Sequence, residues 1–329
     1  MLKILRSSCL VVVALLAILQ SGCDPLENAI QLENFDRPSG QSPTSPAVYQ
    51  SGQSNVVIGS FNIQSLGQKK MSNLSIVEVL VDITRRFDVL AIQELRDIDQ
   101  TVIPQLLEYL NQDGSRFAAA VGPRQSYVIN GQPQGYAEQA VFIYDTDTIE
   151  LIGQSYVAYD HYQRMHRSPY VAHFRCRSNS PDQAFSFVLM NVHTDPDDIY
   201  AEFEALRDII GGVYANHQGE EDFILLGDLN GDPSQFQQYR WMRQQFAAIP
   251  TTWNTNTAQT KCYDNLVFDA GYTAEFTGQA GVMNLMTEYG LSVSDAKKVS
   301  DHMPVWAVFS AQEAPAAAIT QGDQYGVVR

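Results

Sequence analysis

The residues of this chain that could carry chemistry are polar side chains at the ends of short apolar runs. They are carboxylates, amides and two imidazoles: Asn62, Glu94, His193, Asp195, Asp228, Asn230, Asp264, Asp301 and His302. Placing such groups at the end of a buried strand costs free energy unless a metal ion, a partner or a substrate compensates for it. Because many different runs end in this way, we expect these side chains to converge on one polar cleft.

This set of donors suits phosphoester hydrolysis assisted by Mg²⁺ or Mn²⁺. These hard cations prefer carboxylate, amide and water oxygens, and they stabilise the negative charge that grows on a reacting phosphoryl group. His193 and His302 would transfer protons, each transfer being worth about 10²–10⁴ in rate. Taken singly, residues 228–231 also fit a plain turn and residues 300–302 a helix cap. The prediction therefore rests on the whole set.

Other hydrolase classes lack their sequence signatures here. The sequence has no HExxH or CxxC motif and no closely spaced pair among its histidines, which stand at positions 161, 166, 173, 193, 217 and 302. A zinc hydrolase is therefore disfavoured. The sequence also lacks the G-x-S-x-G turn of serine hydrolases and the P-loop of nucleotide hydrolases.

Alternating strands and helices must position the polar residues. Apolar β-rich runs predict strands at Val56–Ile63, Val89–Ile92, Ala140–Tyr144, Tyr170–Phe174, Phe185–Val192, Phe223–Leu226, Asn265–Phe268 and Pro304–Phe309. Apolar residues at spacings of three and four predict helices at Ser75–Arg86, Thr101–Leu110, Ile199–Tyr214 and Gln235–Gln245. This α/β alternation fits a parallel doubly wound sheet or two packed mixed sheets with outer helices, and periodicity does not choose between them.

The composition indicates a globular and strongly acidic protein. Of its 329 residues, 45% are hydrophobic and 18% are charged, which is enough for a large core. The formal net charge of −16 argues against a passive nucleic-acid-binding protein, because such proteins usually carry a basic face. It does not exclude a nuclease, since bound cations offset carboxylates at the site where a polyanion meets the enzyme.

The first residues predict export and a lipid anchor. Two basic residues precede an apolar run from Cys9 to Leu19, which is too short to cross the roughly 30 Å hydrocarbon core of a bilayer as a helix. Residues 1–22 are thus predicted to be a lipoprotein signal peptide. The small residues before Cys23 resemble a bacterial lipobox, which implies that lipid on Cys23 holds the mature protein at a membrane of the bacterial cell envelope.

Three further segments follow the signal peptide. Residues 23–54 are predicted to form a flexible tether, residues 55–311 the catalytic domain and residues 312–329 a disordered tail. Once Cys9 is removed and Cys23 is lipidated, Cys176 and Cys262 remain as thiols. They either form a disulfide or stay free and buried.

Nine short motifs follow one another between about Val56 and Phe309. They are Ser60-Phe61-Asn62-Ile63, Ile92-Gln93-Glu94-Leu95-Arg96-Asp97, Leu107-Glu108-Tyr109-Leu110-Asn111, Tyr136-Ala137-Glu138-Gln139, Arg167-Ser168-Pro169, Val192-His193-Thr194, Gly227-Asp228-Leu229-Asn230, Tyr263-Asp264 and Ser300-Asp301-His302-Met303-Pro304. In this order they resemble the endonuclease/exonuclease/phosphatase superfamily, and within it the secreted deoxyribonuclease I branch. The second and third motifs are closer to that branch than to the members that act on lipids or inositols.

The resemblance implies a fold and a metal site. The fold would be a four-layer α/β sandwich in which two mixed β-sheets pack together with helices outside. Glu94 would hold the principal Mg²⁺ or Mn²⁺, with Asn62 and Asp301 nearby. Asp228 and Asn230 would bind a second ion or the scissile phosphate.

The resemblance also assigns catalytic roles. Glu138 would orient His193 and Asp264 would orient His302, and each carboxylate would raise the pKa of its imidazole. One imidazole would activate water while the other protonates the departing 3′ oxygen, which leaves a 5′-phosphate. Arg167 would clamp a phosphate.

DNA is the implied substrate. Arg96 and Tyr136 match residues that reach the minor groove in this branch, and an arginine there reads groove width more than base identity. Cleavage should therefore be nearly independent of sequence. The plainer interpretation of Arg96 is a surface ion pair with Asp97 or Asp99.

Some positions depart from the branch. Gln64 stands where the relatives have a DNA-contacting arginine, which removes one cation from the predicted DNA-binding strip. Pro233 replaces a cysteine of a structural disulfide, which leaves Cys262 without its expected partner. The segment around Asp160 lacks the relatives' calcium loop, and this weakens the case for bound Ca²⁺.

Two other functions fit parts of the sequence. A lipid-anchored member of the superfamily could act on a phospholipid such as sphingomyelin, but Arg96 and Tyr136 favour DNA. A non-catalytic envelope protein could use the same fold to bind a partner, but it would have no reason to keep so many costly polar groups. Beyond DNA and the membrane no partner is indicated, and we expect a monomer.

Overall fold

The computed structural model of the chain describes residues 54–129, 132–178 and 180–314, with side chains for all of these except 127–129, 132–136 and 181. The predicted signal peptide, the predicted lipidation site Cys23 and nearly all of the predicted tether lie outside the described residues. None of the helices that the structure does describe is long and apolar enough to cross a membrane.

Thirteen strands of the described residues form two sheets. The first sheet contains β1 (Asn55–Leu66), β2 (Val89–Leu95), β3 (Phe117–Val121), β4 (Gln125–Ile129), β5 (Gln132–Asp145), β12 (Phe276–Val282) and β13 (Val305–Ser310). The second contains β6 (Ile149–Val157), β7 (Tyr170–Cys176), β8 (Ser186–His193), β9 (Phe223–Asp228), β10 (Phe246–Ala247) and β11 (Asp264–Phe268). Each of the eight predicted strands overlaps one of these.

Both sheets are mixed. The first has the order β12-β13-β1-β2-β5-β3, with β4 also pairing with β5, and the second has the order β10-β11-β9-β8-β7-β6. Within the described pairings, only β1 with β2 and β8 with β9 run parallel. The parallel doubly wound alternative is therefore wrong, and the two mixed sheets are confirmed.

An aromatic core lies between the two sheets. Phe142 from the first sheet meets Phe174 from the second edge-on, with ring centroids 5.6 Å apart. Phe187 and Phe309 are fully buried in the same cluster. Such large apolar side chains contribute about 25 cal/mol for each Å² removed from water, so their burial drives the sheets together.

Helices cover the outer faces of the sheets. They are α1 (Gln68–Met71), α2 (Leu74–Thr84), α3 (Val102–Asn111), α4 (Ile199–Asn216), α5 (Pro233–Phe236), α6 (Leu285–Tyr289) and α7 (Val293–Val299). The face of α4 that carries Phe203, Leu206 and Ile210 packs against Val188 and Met190 of β8, which makes a second core on the outside of the second sheet. The predicted four-layer sandwich is thus confirmed.

The prediction of a helix over Gln235–Gln245 is wrong. The helix α5 ends at Phe236, and a separate 3₁₀ turn covers Arg240–Met242. Between them Tyr239 is extended, with φ −98° and ψ 119°. Phe236, Tyr239 and Met242 are all buried, so their spacing of three reflects two separate turns rather than one helix.

The last described residues do not fray at Gln312 as the tail prediction expected. Glu313 donates its backbone N–H to the carbonyl of Gln183 at 2.9 Å, and Ala314 donates to Glu275 Oε1 at 2.6 Å. The packed unit therefore includes residues 312–314, and the remaining tail lies outside the described residues.

The two parallel strand pairs determine where the polar cleft forms. Within a sheet, parallel neighbours end at the same edge, and in both sheets this edge carries polar residues. At the end of β8, His193 stands in register with Asp228 of β9, and Asp228 also faces Asp264 across the β9–β11 pair. On the first sheet, β1 and β2 deliver Asn62 and Glu94.

Candidate active site

Asp228 stands at the centre of the polar cleft. Its Oδ2 accepts a hydrogen bond from Asn62 Nδ2 at 2.9 Å, a contact that joins the two sheets. The same oxygen lies 3.7 Å from His193 Nε2 and 3.5 Å from His302 Nε2. Burial raises the pKa of Asp228, but the two imidazoles outweigh burial and the net shift is downward. The structure thus brings both predicted histidines to one buried carboxylate.

His193 is held by a carboxylate and an arginine. Its Nδ1 lies 2.6 Å from Glu138 Oε1, and Arg167 Nε donates to the His193 carbonyl at 3.0 Å. Arg167 Nε is also 3.4 Å from Glu138 Oε1. Burial lowers the pKa of His193, but Glu138 and then Asp228 raise it by more. Nδ1 therefore carries the proton, and Nε2 points to the cleft.

His302 forms a matching pair with Asp264. Its Nδ1 lies 2.9 Å from Asp264 Oδ2, and Thr255 Oγ1 donates to the same oxygen at 2.7 Å. Burial lowers the pKa of His302, but Asp264 and Asp228 raise it to about 11. Thr255 was missed in the sequence, because it belongs to a loop with no apolar run to mark it.

Glu94 is held in a strained backbone conformation. Its φ is +62°, in the left-handed region, and that of Ser65 is +52°. Such conformations cost a non-glycine residue on the order of 1 kcal/mol and are common at functional sites. The turn at Ser65 lets its N–H donate to Glu94 Oε2 at 3.0 Å, while Glu94 Oε1 lies 3.4 Å from Asn62 Nδ2.

These residues fit a hard divalent cation. Glu94 and Asp228 offer carboxylate oxygens, and Asn62 Oδ1 is buried without a hydrogen-bond partner. Ligand atoms of Asp228, Asp264 and His302 also lie within 4.8 Å of one another. Buried oxygens without hydrogen-bond partners are the groups that Mg²⁺, Mn²⁺ or Ca²⁺ would satisfy.

Asp301 lies at the rim beside a lysine. Asp301 Oδ2 accepts from Gln64 Nε2 at 2.9 Å. Lys70 faces both Asp301 and Glu94, and its Nζ donates to the Val299 carbonyl. Burial lowers the pKa of Lys70 to about 8, although the two acids raise it. No sequence pattern pointed to Lys70, because its role depends on contacts with distant parts of the chain.

The sequence of this chain is similar to those of known proteins. The family model for the endonuclease/exonuclease/phosphatase family matches residues 59–302. The chain belongs to this family. It is 32% identical to Homo sapiens deoxyribonuclease-1 over 274 residues, which cover 77% of this chain and 92% of that protein. It is 27% identical to Mus musculus deoxyribonuclease-1-like 2 over 265 residues, or 77% and 91% of the two chains.

Solved structures show the same fold. An endonuclease/exonuclease/phosphatase from Beutenbergia cavernae superposes with a TM-score of 0.54 at 14% identity, over 80% of this chain and 74% of that one. A family protein from Bacteroides thetaiotaomicron gives 0.51 at 14% identity, over 79% and 98%. The predicted deoxyribonuclease I-like branch is thus confirmed, and the chain is a hydrolase that acts on phosphodiester bonds.

Arg96 and Tyr136 are the two residues predicted to contact DNA in the minor groove. Arg96 Nη2 forms an ion pair with Glu94 Oε2 at 2.8 Å. Asp97 Oδ2 instead accepts from the backbone N–H of Val102, at the start of α3. The side chain of Tyr136 lies outside the described part of the chain.

Asn230 is used partly for structure. With φ +48°, it turns back so that its N–H donates to Asp228 Oδ1 at 3.0 Å. Its Nδ2 donates to the Thr194 carbonyl at 2.7 Å. These bonds involve the backbone and side-chain nitrogens of Asn230. Its side-chain oxygen is therefore the atom that could bind a ligand.

The departures from the family's pattern have visible structural counterparts. Cys176 and Cys262 are both buried and free, so they do not pair. Asp160 accepts from the backbone N–H groups of Tyr162 at 3.2 Å and Met165 at 2.8 Å. Because these amides satisfy the carboxylate, Asp160 has a structural partner without Ca²⁺.

Proposed function

We propose that this chain is a metal-dependent endonuclease that hydrolyses DNA with little sequence specificity and leaves 5′-phosphate ends. The observation that carries the proposal is the convergence of two imidazoles, each backed by a carboxylate, on Asp228. The names of the deoxyribonuclease-1 relatives support DNA as the substrate.

The two histidines divide the proton transfers. His302, whose pKa Asp264 and Asp228 raise, is suited to protonate the departing 3′ oxygen. His193 takes the proton of the attacking water at Nε2, and Glu138 stabilises the imidazolium that forms. The new bond joins water oxygen to phosphorus, and the bond from phosphorus to the 3′ oxygen breaks.

A bound Mg²⁺ or Mn²⁺ would supply charge stabilisation at the reacting phosphate. Glu94, Asn62 and Asp301 would hold it, while Asp228 and Asn230 would bind a second ion or the phosphate itself. Arg167, beside Glu138, would hold a phosphate of the substrate and restrain His193 through its carbonyl.

DNA selectivity would come from the rim of the cleft. Arg96 stands next to the candidate metal ligand Glu94, which is where a minor-groove arginine would meet the backbone beside the cut. Tyr136 is proposed to act with it. Gln64 provides an uncharged amide at this rim, so phosphate binding there should be weaker than with an arginine.

We also propose that the protein is exported and held by lipid on Cys23 at the bacterial cell envelope, where it acts as a monomer. The short apolar run, the residues before Cys23 and the proline- and serine-rich tether support this. Metabolic labelling with a fatty acid tests the anchor: the label should enter the wild-type chain and be absent from Cys23→Ala.

The central test compares substrates. The purified chain in Mg²⁺ or Mn²⁺ should convert supercoiled plasmid to nicked circles and leave sphingomyelin vesicles intact. DNA ligase should reseal the nicks without prior kinase treatment, because the ends carry 5′-phosphate and 3′-hydroxyl. Hydrolysis of sphingomyelin without nicking would reverse the proposal in favour of a phospholipid substrate.

A further inference from the structure

Three carboxylates meet at the end of the second sheet opposite to the active site. Asp222, Glu275 and Glu313 each place an oxygen so that all three lie within 4.8 Å of one another. Asp222 directly precedes β9, and Asp228 ends it. At about 3.3 Å for each residue, the strand separates this group from the active site by roughly 17 Å to 20 Å.

Two of the three carboxylates are buried, and the group has no balancing charge in the described part of the chain. Asp222 is 1% exposed and Glu275 is 3% exposed. Among the described residues, no lysine or arginine forms an ion pair with any of the three. Asp222 Oδ1 and Glu275 Oε2 have no hydrogen-bond partner. Leaving carboxylate oxygens unpaired in the interior is unfavourable.

A fourth oxygen faces the group from the loop that also carries Glu275. Thr273 is 2% exposed, and its side chain faces the Asp222 carboxylate. Its Oγ1 nevertheless has no hydrogen-bond partner. Thr273 Oγ1 and Asp222 Oδ1 are therefore two buried oxygens on one side of the group that a cation could bind.

We propose that Asp222, Glu275, Glu313 and the Thr273 hydroxyl hold a divalent cation of the calcium class, at a structural site separate from the active site. Ca²⁺ takes six to eight oxygens at about 2.3–2.6 Å in flexible geometry, with carboxylates binding through one or two oxygens and water completing the shell, so three carboxylates with a hydroxyl suit it. Mg²⁺ is less suited, because it demands near-ideal octahedral geometry and keeps several waters.

The cation would hold together segments from both sheets at this end of the sandwich. Glu313 belongs to the last described segment, and its Oε2 accepts from the N–H of Ser186 in β8 at 3.3 Å. Ala314 donates to Glu275 Oε1. The site therefore ties the segment that follows β13 in the first sheet to the starts of β8 and β9 in the second.

Thermal unfolding of the full chain tests this site. At a hundredfold excess of Ca²⁺ over its Kd, the Tm should rise by about 5–10 °C relative to EDTA. Glu313→Gln should abolish the rise; this residue is exposed, so the variant should fold. Asp222→Asn should do the same. Terbium luminescence excited through the protein's aromatic residues should fall in both variants.

Control variants distinguish this site from the two other acidic groups of the described residues. Asp228→Asn at the active site, and Asp198→Asn in the acidic group around His166, should keep the Ca²⁺-dependent rise. Glu313→Gln should retain wild-type nicking in Mg²⁺ at 25 °C. An absent rise in the wild type, or an equal rise in Glu313→Gln, would overturn the proposal. Stabilisation of the wild type by a lower pH in place of Ca²⁺ would also overturn the proposal, because the carboxyl groups would then be satisfied by shared protons.

Discussion

At the scale of single residues, the site depends on which atom of each imidazole faces the cleft. Glu138 and Asp264 occupy the two Nδ1 atoms, so both Nε2 atoms remain for proton transfer near Asp228. Neither histidine can replace the other, because His193 ends β8 while His302 precedes β13, and they have different carboxylate partners.

Removing either imidazole should therefore be severe. His193→Ala and His302→Ala should each lower the rate of plasmid nicking by about 10²–10⁴. The double variant should be about as slow as the worse single variant, because the two groups act as a unit. Circular dichroism should show a folded protein in all three. Near-native activity in either single variant would show that its imidazole does not transfer the proton.

Arg96 offers a test of DNA contact that is separate from the proton transfers. Arg96→Ala should raise KM for DNA and reduce the slope of log affinity against log salt by about 1, as expected when one phosphate contact is lost. Arg116→Ala removes the same charge from an exposed ion pair with Asp147 and should change neither quantity. If both variants behave alike, Arg96 has no special contact with DNA.

Sequence patterns pointed to most of the proposed catalytic residues but not to the residues that hold them in place. Asp228 and His193 could be found because each ends a run of apolar residues. Thr255 and Lys70 could not, because their functions depend on hydrogen bonds and charges brought close by the fold. The pairing of Arg96 with Glu94 was missed for a related reason. The left-handed backbone at Glu94 interrupts the strand alternation that a sequence pattern assumes.

At the scale of elements, the β8–β9 pair carries the geometry of the site. Gly227 has φ +146°, and a Cβ there would lie 1.8 Å from the Val192 carbonyl oxygen. No side chain fits that distance. The strands can approach closely enough to set His193 opposite Asp228 only because residue 227 is glycine.

Gly227→Ala should therefore push the two strands apart. We expect a loss of about 3 kcal/mol or more in the free energy of unfolding, measured by urea denaturation, together with loss of nicking. Gly211→Ala is the matched control, since its added Cβ would meet nothing within 4 Å and it lies inside α4. That change should stabilise the protein by about 0.5–1 kcal/mol.

Strands were predictable where both faces are buried and were missed where they are not. Every residue of β9 is buried, so its apolar run stands out in the sequence. In β6 only Ile149 is buried and the other residues are half-buried or exposed, without a regular alternation. That strand pairs at the edge of the second sheet, where the partner strand rather than the local sequence determines the conformation.

At the scale of the whole molecule, Asp88 should make stability depend on pH. It is 3% exposed, at the turn into β2, and it accepts hydrogen bonds from Val57 N and Thr148 Oγ1. Burial raises its pKa from 3.8 to about 7, although these bonds lower it. The folded state then binds a proton more tightly than the unfolded state does.

The sign of the effect follows from proton binding. The contribution of Asp88 is fully present below pH 3.8 and is lost as the pH rises to about 7. The difference in unfolding free energy between wild type and Asp88→Asn, measured by urea denaturation from pH 4 to pH 8, should therefore fall as the pH rises and level off above 7. A difference that does not change with pH would show that Asp88 stays ionised in the folded protein.

The order of the chain has a consequence for when activity first arises. The chain builds most of the first sheet, then the second, and returns to the first with β12 and β13. β13 pairs with β1, and His302 stands just before it. A polypeptide still emerging from the ribosome therefore lacks both the second imidazole and the strand that closes the sheet. With the roles proposed for His193 and His302, we expect the nascent chain to leave nucleic acid uncut until its synthesis is nearly finished.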